Sequence, residues 1–235
     1  MFKCCIKTSE NEKTEDNKEN FNEKDGNKHM SNQSTEEKKI SVDYYPEFIE
    51  KTPELDAYAF IQNYSNEAPV FFFEENSVFS NFYRCNQILY DKDFNPILTF
   101  FCNEQYFMYM KAIDFDDKNI AKKILAARTA NICKRLGRQV KNFDEKIWKT
   151  RSLIHMYNGL IMKFCDPENK SLLSELLKTE KKYLAEASPY DRIWGIGMNE
   201  NLAKNRKIGN WPGDNYLGQL LMLLREDLLK KVSKV

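Results

Sequence analysis

The stretch Asn103–Phe115, NEQYFMYMKAIDF, decides how the rest of the chain is read. Tyr106, Phe107, Met108, Tyr109, Met110, Ala112 and Ile113 leave almost no polar gap, and a helix that is apolar all round is normally buried. Two charges nevertheless lie on it, Glu104 and Lys111. Seven residues apart at about 100° per residue, they fall within roughly 20° of one another, two turns apart on one face. An isolated ion is costly to bury, so each charge has to be paired, hydrogen-bonded or directed into a polar cavity. A cavity with a carboxylate and an amine on one wall is a candidate site. The plainer alternative takes both charges to solvent at the helix ends, with Glu104 in the favourable first turn and Lys111 paired to Asp114 one turn on.

Upstream of this helix, PVFFF (69–73) reads as a buried strand, followed by EENSVFSNFY as a polar loop closed by aromatics. Residues 86–90 and 97–101 read as two strands around the turn-like DKDFNP. That hairpin makes the sheet at least partly antiparallel and delivers the chain into the central helix, with Asn103 as the expected N-cap. Downstream the chain turns helical. Ile120, Ala121, Ile124 and Leu125 form a stripe within 117–128, and Leu153, Met156, Tyr157, Leu160, Ile161 and Phe164 form another within 147–164. Leu172, Leu173, Leu176 and Leu177 mark a short helix, and Leu217, Leu220, Leu221, Leu224 and Leu228 mark the last. His155 lies off its helix's stripe and reads as a surface residue.

Between those last two helices runs Tyr183–Gly218, YLAEASPYDRIWGIGMNENLAKNRKIGNWPGDNYLG. It holds Gly195, Gly197, Gly209, Gly213 and Gly218, five of the chain's eight glycines, together with Trp194 and Trp211. A long loop inside a compact domain is usually functional or disordered, and the tryptophans argue against disorder. Glycines let backbone N–H groups approach a phosphate closely, and a tryptophan face can stack on a base. The alternative is that both tryptophans anchor the core while the glycines turn the chain.

At 235 residues the chain is long enough for one domain with a full core and a tail. A net charge of +1 argues against the overall basic balance of a dedicated nucleic-acid binder. Apolar runs are short, there is no signal-peptide core, and Phe2 follows Met1 where myristoylation needs glycine. No membrane partner is therefore expected. The six cysteines show no metal-ligand spacing and there are two histidines, which points to a reducing, intracellular protein, cytoplasmic or nuclear, without metal or cofactor. Cys4 and Cys5 beside Lys3 and Lys7 read as an ordinary disordered end more readily than as a palmitoylation site. Residues 1–39 read as a charged, disordered tail, and 40–68 as an extension packing on the domain of 69–232. In the extension, Leu55, Tyr58, Phe60, Ile61 and Tyr64 are expected along one face of a short helix after Pro53.

SNFY (80–83), NEQYFMYMKA (103–112), LGRQV (136–140), the W-R-M helix ending in KF at 163–164, LAEASPYDRIWGIG (184–197) and WPGDNYLGQLLMLLRE (211–226) occur in this order. With these motifs the chain resembles the NADAR, or YbiA-like, family from about Val70 to Leu229. The resemblance implies an α+β fold, a mostly helical single domain around a small sheet, and cleavage of N-glycosidic bonds. It further implies two substrate groups: phosphoribosylamino intermediates of riboflavin synthesis, and ADP-ribose attached to guanine in a nucleoside or nucleic acid. The family's site falls on Ser80, Asn81 and Phe82, on Glu104 and Lys111, and on Asp191, Trp194 and Gly195. Trp211, Gly213, Asn215, Leu217 and Gly218 match its segment before the last helix, whereas the tail and the 40–68 extension have no counterpart.

Breaking a ribosyl N-glycoside develops positive charge on the ribose carbon, which a carboxylate can stabilise while a second group assists the leaving nitrogen. Glu104 and Asp191 fit those needs. Lys111 has another option, because a lysine with a lowered pKa attacks the aldehyde of an opened sugar to form a Schiff base. Trp194 is expected to stack on a base or precursor ring. Asn81, with Arg138 or the amides of the loop carrying Gly195 and Gly197, is expected to hold phosphate and ribose hydroxyls, and Asn215 joins the binding set. Arg128 and Arg135 compete with Arg138 for that role. A module that binds ADP-ribose or NAD without turnover is the other class, but binding alone needs no paired acid and amine.

Overall fold

The computed structural model describes residues 48–64, 66–91 and 95–232. The expected tail over 1–39 and residues 40–47 of the extension lie outside the described residues. In chain order the elements are α1 (Ala57–Tyr64), β1 (Val70–Phe72), β2 (Gln87–Tyr90), β3 (Pro96–Phe100), α2 (Asn103–Asp114), α3 (Lys118–Leu125) and α4 (Ala130–Gly137). They continue with α5 (Glu145–Cys165), α6 (Lys170–Lys178), β4 (Leu184–Glu186), α7 (Glu200–Ala203) and α8 (Tyr216–Val232). The class is α+β and mostly helical, as expected.

The strands form two separate ribbons where one small sheet was expected. β2 pairs antiparallel with β3, Gln87 opposite Phe100, with a register shift at Leu89/Tyr90. β1 pairs parallel with β4, Val70 opposite Leu184 and Phe72 opposite Glu186. β4 lies inside the stretch read as one long loop. Its three residues are too short to show a period, and only the pairing with β1 creates it. α7 interrupts the same stretch, held by the Asn199 side chain, which accepts the N–H of Leu202. α4 was not anticipated as a helix either, although Thr129 caps it and accepts the N–H of Ile132.

α2 packs against α3, α4 and α5, so it is the central element. Its crossing with α5 is close because Gly159 stands there: a Cβ on Gly159 would collide with the side chains of Asn103 and Tyr106. Gly137 does the same for Met108 where α4 meets α2. The main core joins α5, α6 and α8 through Met156, Leu160, Phe164, Leu176, Leu217, Leu221 and Leu224. α1 docks on it by Phe60 and Tyr64. Tyr58, expected on that face, is 71% exposed.

The burial of α2 departs from its composition. Asn103, Glu104 and Gln105 are buried, whereas Ile113 is 42% exposed. Asn103 is not the cap. Cys102 holds the cap position without a side-chain bond, and the orphan N–H of Glu104 is donated instead to the carbonyl of Asn81 at 2.9 Å. A carbonyl from a neighbouring loop thus does the work expected of a capping side chain. Asn103 turns inward, its Nδ2 donating to Asn81 Oδ1 at 2.9 Å.

Candidate active site

The 80–83 segment, the start of α2, α4 and the 186–197 segment converge on one cluster of charges. Ser80 and Asn81 are buried. The carbonyl of Ser80 accepts a 2.6 Å hydrogen bond from Lys163 Nζ on α5, a fully buried ammonium whose pKa burial pushes down to about 8. Asn81 holds α2 through both its backbone and its side chain, and Lys134 Nζ lies 5.7 Å over the ring of Phe82. The loop is therefore tied to three helices.

Glu104 is 5% exposed, and its carboxylate makes no hydrogen bond among the described residues. Burial pushes its pKa up to about 7; Asp191 adds to the rise, while Lys134 and Arg138 oppose it. The counter-charge on Glu104 is thus Lys134 of α4, not Lys111. Lys111 shares the face as expected, but two turns of helix separate the pair by about 10 Å. Its Nζ lies 4.1 Å over the ring of Phe143 and 5.6 Å from the Trp148 centroid. Burial, and then the charge of Arg138, hold its pKa below the usual lysine value. It does not pair with Asp114, which bonds Arg151 and His155 at 2.8 Å each. His155 is accordingly not a surface residue: it stacks on Trp148 with centroids 6.0 Å apart.

Asp191 Oδ1 accepts the N–H groups of Ile193 (2.9 Å) and Trp194 (2.8 Å), which fixes the turn that carries the tryptophan. Trp194 is half-buried and meets Phe107 edge-on at 5.4 Å, and Phe107 in turn lies 5.1 Å from Trp148. An aromatic row therefore runs from Trp194 to the Lys111 amine. Trp148 belongs to that row and was not singled out from sequence. Gly195 is buried, and a Cβ there would stand 2.9 Å from the carbonyl of Glu186 and 3.0 Å from that of Asp191. Gly197 needs its φ of +71°.

Asn215 is placed differently from expectation. Its Nδ2 donates to the Leu184 carbonyl and its Oδ1 accepts the N–H of Glu186, so its amide is engaged with β4. Trp211 packs against Phe71 and Tyr183 and donates Nε1 to the Ala203 carbonyl. Arg138, the C-cap of α4, is exposed, and its charge acts on both Glu104 and Lys111. That coupling favours it over Arg128 and Arg135, which are exposed as well. Sequence reasoning missed Lys134 and Glu186. Lys134 had a signal in its four-residue spacing from Arg138, which puts both on one helix face once α4 is recognised. A cleft of about 380 Å³ also opens between Phe71–Phe73, Glu74, Asn76, Ser77, Ala187 and 199–201, but none of these charges lines it.

The NADAR domain model matches residues 68–229. The chain belongs to the NADAR family. It is 37% identical over 169 residues to protein irg-1 of Caenorhabditis elegans, covering 68% of this chain and 79% of that protein. It is 41% identical over 124 residues to N-glycosidase R617 of Acanthamoeba polyphaga mimivirus, covering 53% of this chain and 72% of the relative. The NMR structure of the Escherichia coli protein YbiA superposes with a TM-score of 0.55 at 25% identity, covering 77% of this chain and 97% of that one. The matched region contains every residue of the charge cluster and of the aromatic row.

Proposed function

We propose that this chain is an N-glycosidase that cleaves a ribosyl N-glycosidic bond and removes ADP-ribose from modified guanine. The observation that carries the reading is the site's charge pattern: a buried Glu104 whose carboxylate has no hydrogen bond among the described residues, under the influence of Asp191, Lys134 and Arg138, with the Lys111 amine against aromatic rings. A carboxylate so placed suits a sugar carbon that becomes positive as its bond to nitrogen breaks, because the low-polarity surroundings strengthen the attraction. Lys134 and Arg138 supply positive charge for phosphate, and Trp194 in its row of rings suits a base.

Lys111 acts as the nucleophile. Its lowered pKa raises the fraction of neutral amine at pH 7, and that amine attacks the anomeric carbon of the opened ribose. The leaving nitrogen departs, the lysine imine forms, and water hydrolyses it to free sugar and amine. NADAR membership and the R617 name support the N-glycosidase class.

The test is to incubate the protein with ADP-ribosylated guanosine and, separately, with the phosphoribosylamino pyrimidine of riboflavin synthesis, following released sugar by mass spectrometry. Release of ADP-ribose from the first is expected. Release from the second alone would move the substrate to the other family group, and retention of both compounds intact by a protein that binds them would mean a binding module. Borohydride added during turnover should trap a sugar adduct on Lys111. Lys111→Arg keeps the charge but cannot form the imine, so it should lose both adduct and turnover. An active Lys111→Arg protein without adduct would falsify the covalent step.

A further inference from the structure

Glu186 is within the electrostatic reach of Asp191, Lys134 and Glu104 and has no role so far. Its main chain is fixed from three sides: its N–H donates to Asn215 Oδ1 at 3.0 Å, its carbonyl accepts the N–H of Ile196 at 2.8 Å, and it sits opposite Phe72 in the parallel ribbon. Its side chain is treated in the opposite way. Oε2 is buried and has no hydrogen-bond partner among the described residues. A buried oxygen left without a partner is costly as a carboxylate, whereas a protonated carboxyl at the same place keeps a donor to aim at a ligand.

Three charged groups act on it, from the 186–197 segment, α2 and α4, while β1 opposite it carries none. Asp191 in the turn and Glu104 on α2 are acids, and Lys134 on α4 is the cation. Burial pushes the Glu186 pKa up to about 8, with Asp191 and Glu104 adding to the rise and Lys134 opposing it. Geometry separates the two acids: Oε2 of Glu186 is closed off without a partner among the described residues on a main chain held from three sides, whereas Glu104 stands on α2.

We propose that Glu186 is the proton donor to the leaving nitrogen of the N-glycosidic bond, a role that rests on the N-glycosidase reading above. As the bond between the anomeric carbon and nitrogen breaks, its electron pair stays on nitrogen, and the proton of Glu186 joins it. The base leaves neutral. The carbon already carries the Lys111 nitrogen, whose electron pair closes the imine as the base departs, and the water that later hydrolyses the imine returns a proton to the Glu186 carboxylate. Glu104 and Asp191 stay free to face the positive carbon. Asn215 is a positioning residue, because it holds the main chain of Glu186 and the carbonyl two residues before it.

Wild type, Glu186→Gln and Glu186→Asp are compared on ADP-ribosylated guanosine across pH 5–10, with the carboxyl carbons of glutamate labelled for NMR. In wild type, kcat should fall as pH rises past about 8, where the donor loses its proton. Glu186→Gln matches the shape of the neutral acid but cannot transfer a proton, so kcat should drop by about 10²–10⁴-fold with KM within about threefold, and the alkaline fall should vanish. Glu186→Asp should keep that fall at a reduced kcat. The resonance missing from the Gln variant should titrate near pH 8 in the wild type. A Gln variant within about threefold of wild type, or a Glu186 resonance already ionised at pH 5, overturns the assignment while leaving the N-glycosidase reading intact. Should the Gln protein not fold, the Asp profile and site-assigned resonances of the wild type decide instead. A wild type that cleaves neither glycoside removes the functional reading, and the proton transfer with it.

Discussion

Glu104 and Asp114 stand ten residues apart on the same helix, both nearly closed off from water, and the fold treats them differently. Asp114, with a side chain 6% exposed, has one oxygen on Arg151 and the other on His155. Glu104 has no hydrogen bond to its carboxylate among the described residues, and its nearest influences include another acid, Asp191. Asp114 is satisfied and ties α2 to α5. Glu104 keeps its bonding capacity unused by the described residues, as the proposed role requires. On this one helix, an acid that ties two elements together is saturated by protein, and the acid of the candidate site is left open at a cost in stability.

The sharpest way to break this comparison is to neutralise each acid in turn. Glu104→Gln should lower kcat by about 10²–10⁴-fold while leaving the protein folded. A Gln variant that keeps wild-type turnover would end the distinction. Asp114→Asn should do the reverse, leaving kcat within a fewfold and weakening the charged bonds to Arg151 and His155. A loss of about 1.5–3 kcal/mol, read as a melting temperature lower by roughly 3–10 °C, is expected. If the Asn protein melts with the wild type, Asp114 is not structural.

The two acids should also separate with pH. The Glu104 pKa is raised from 4.5 to about 7 on folding, so its ionised form opposes the folded state. That penalty is absent below the unfolded value, grows as pH rises from 4.5 towards 7, and is level above it. Glu104→Gln should therefore match the wild type in melting temperature at pH 4 and exceed it at pH 8, by several degrees on the order of 1–3 kcal/mol. A gain of equal size at both pH values would mean that the substitution acts through packing.

The smallest effect is expected at Lys163, a buried cation of the structural kind that nevertheless holds a site loop by its bond to the Ser80 carbonyl. Lys163→Met preserves volume and removes an ammonium whose burial is unfavourable, so the melting temperature should change by only a few degrees in either direction. KM should rise about threefold to tenfold because the 80–82 loop loses its tether. An unchanged KM would show that Asn81 and α2 hold the loop unaided.

Much of the site was legible because its residues break the pattern around them. Glu104 and Lys111 were visible as charges on an apolar helix, and the glycines and tryptophans of 183–218 as an irregular, expensive composition. Glu186 gave no such signal: within the long stretch 183–218 it is one glutamate among several polar residues, and only the pairing of β4 with β1, Glu186 opposite Phe72, fixes where it stands. His155 was misplaced for a related reason, since its helix stripe excludes it and its partners Asp114 and Trp148 are supplied by α2 and by the preceding turns of its own helix.

The sequence by itself determined the helices with clear apolar stripes, the β2–β3 hairpin, the central place of α2 and the membership of its motifs in one family, because these depend on local spacing. The β1–β4 ribbon, the bond from Asn81 that replaces a helix cap, the choice of Lys134 over Lys111 as the partner charge of Glu104, and the exposure of Ile113 were decided by tertiary structure alone. Each depends on which groups from distant parts of the chain arrive at the same point. Desolvation and pairing energies are set by those neighbours, and chain spacing does not contain them.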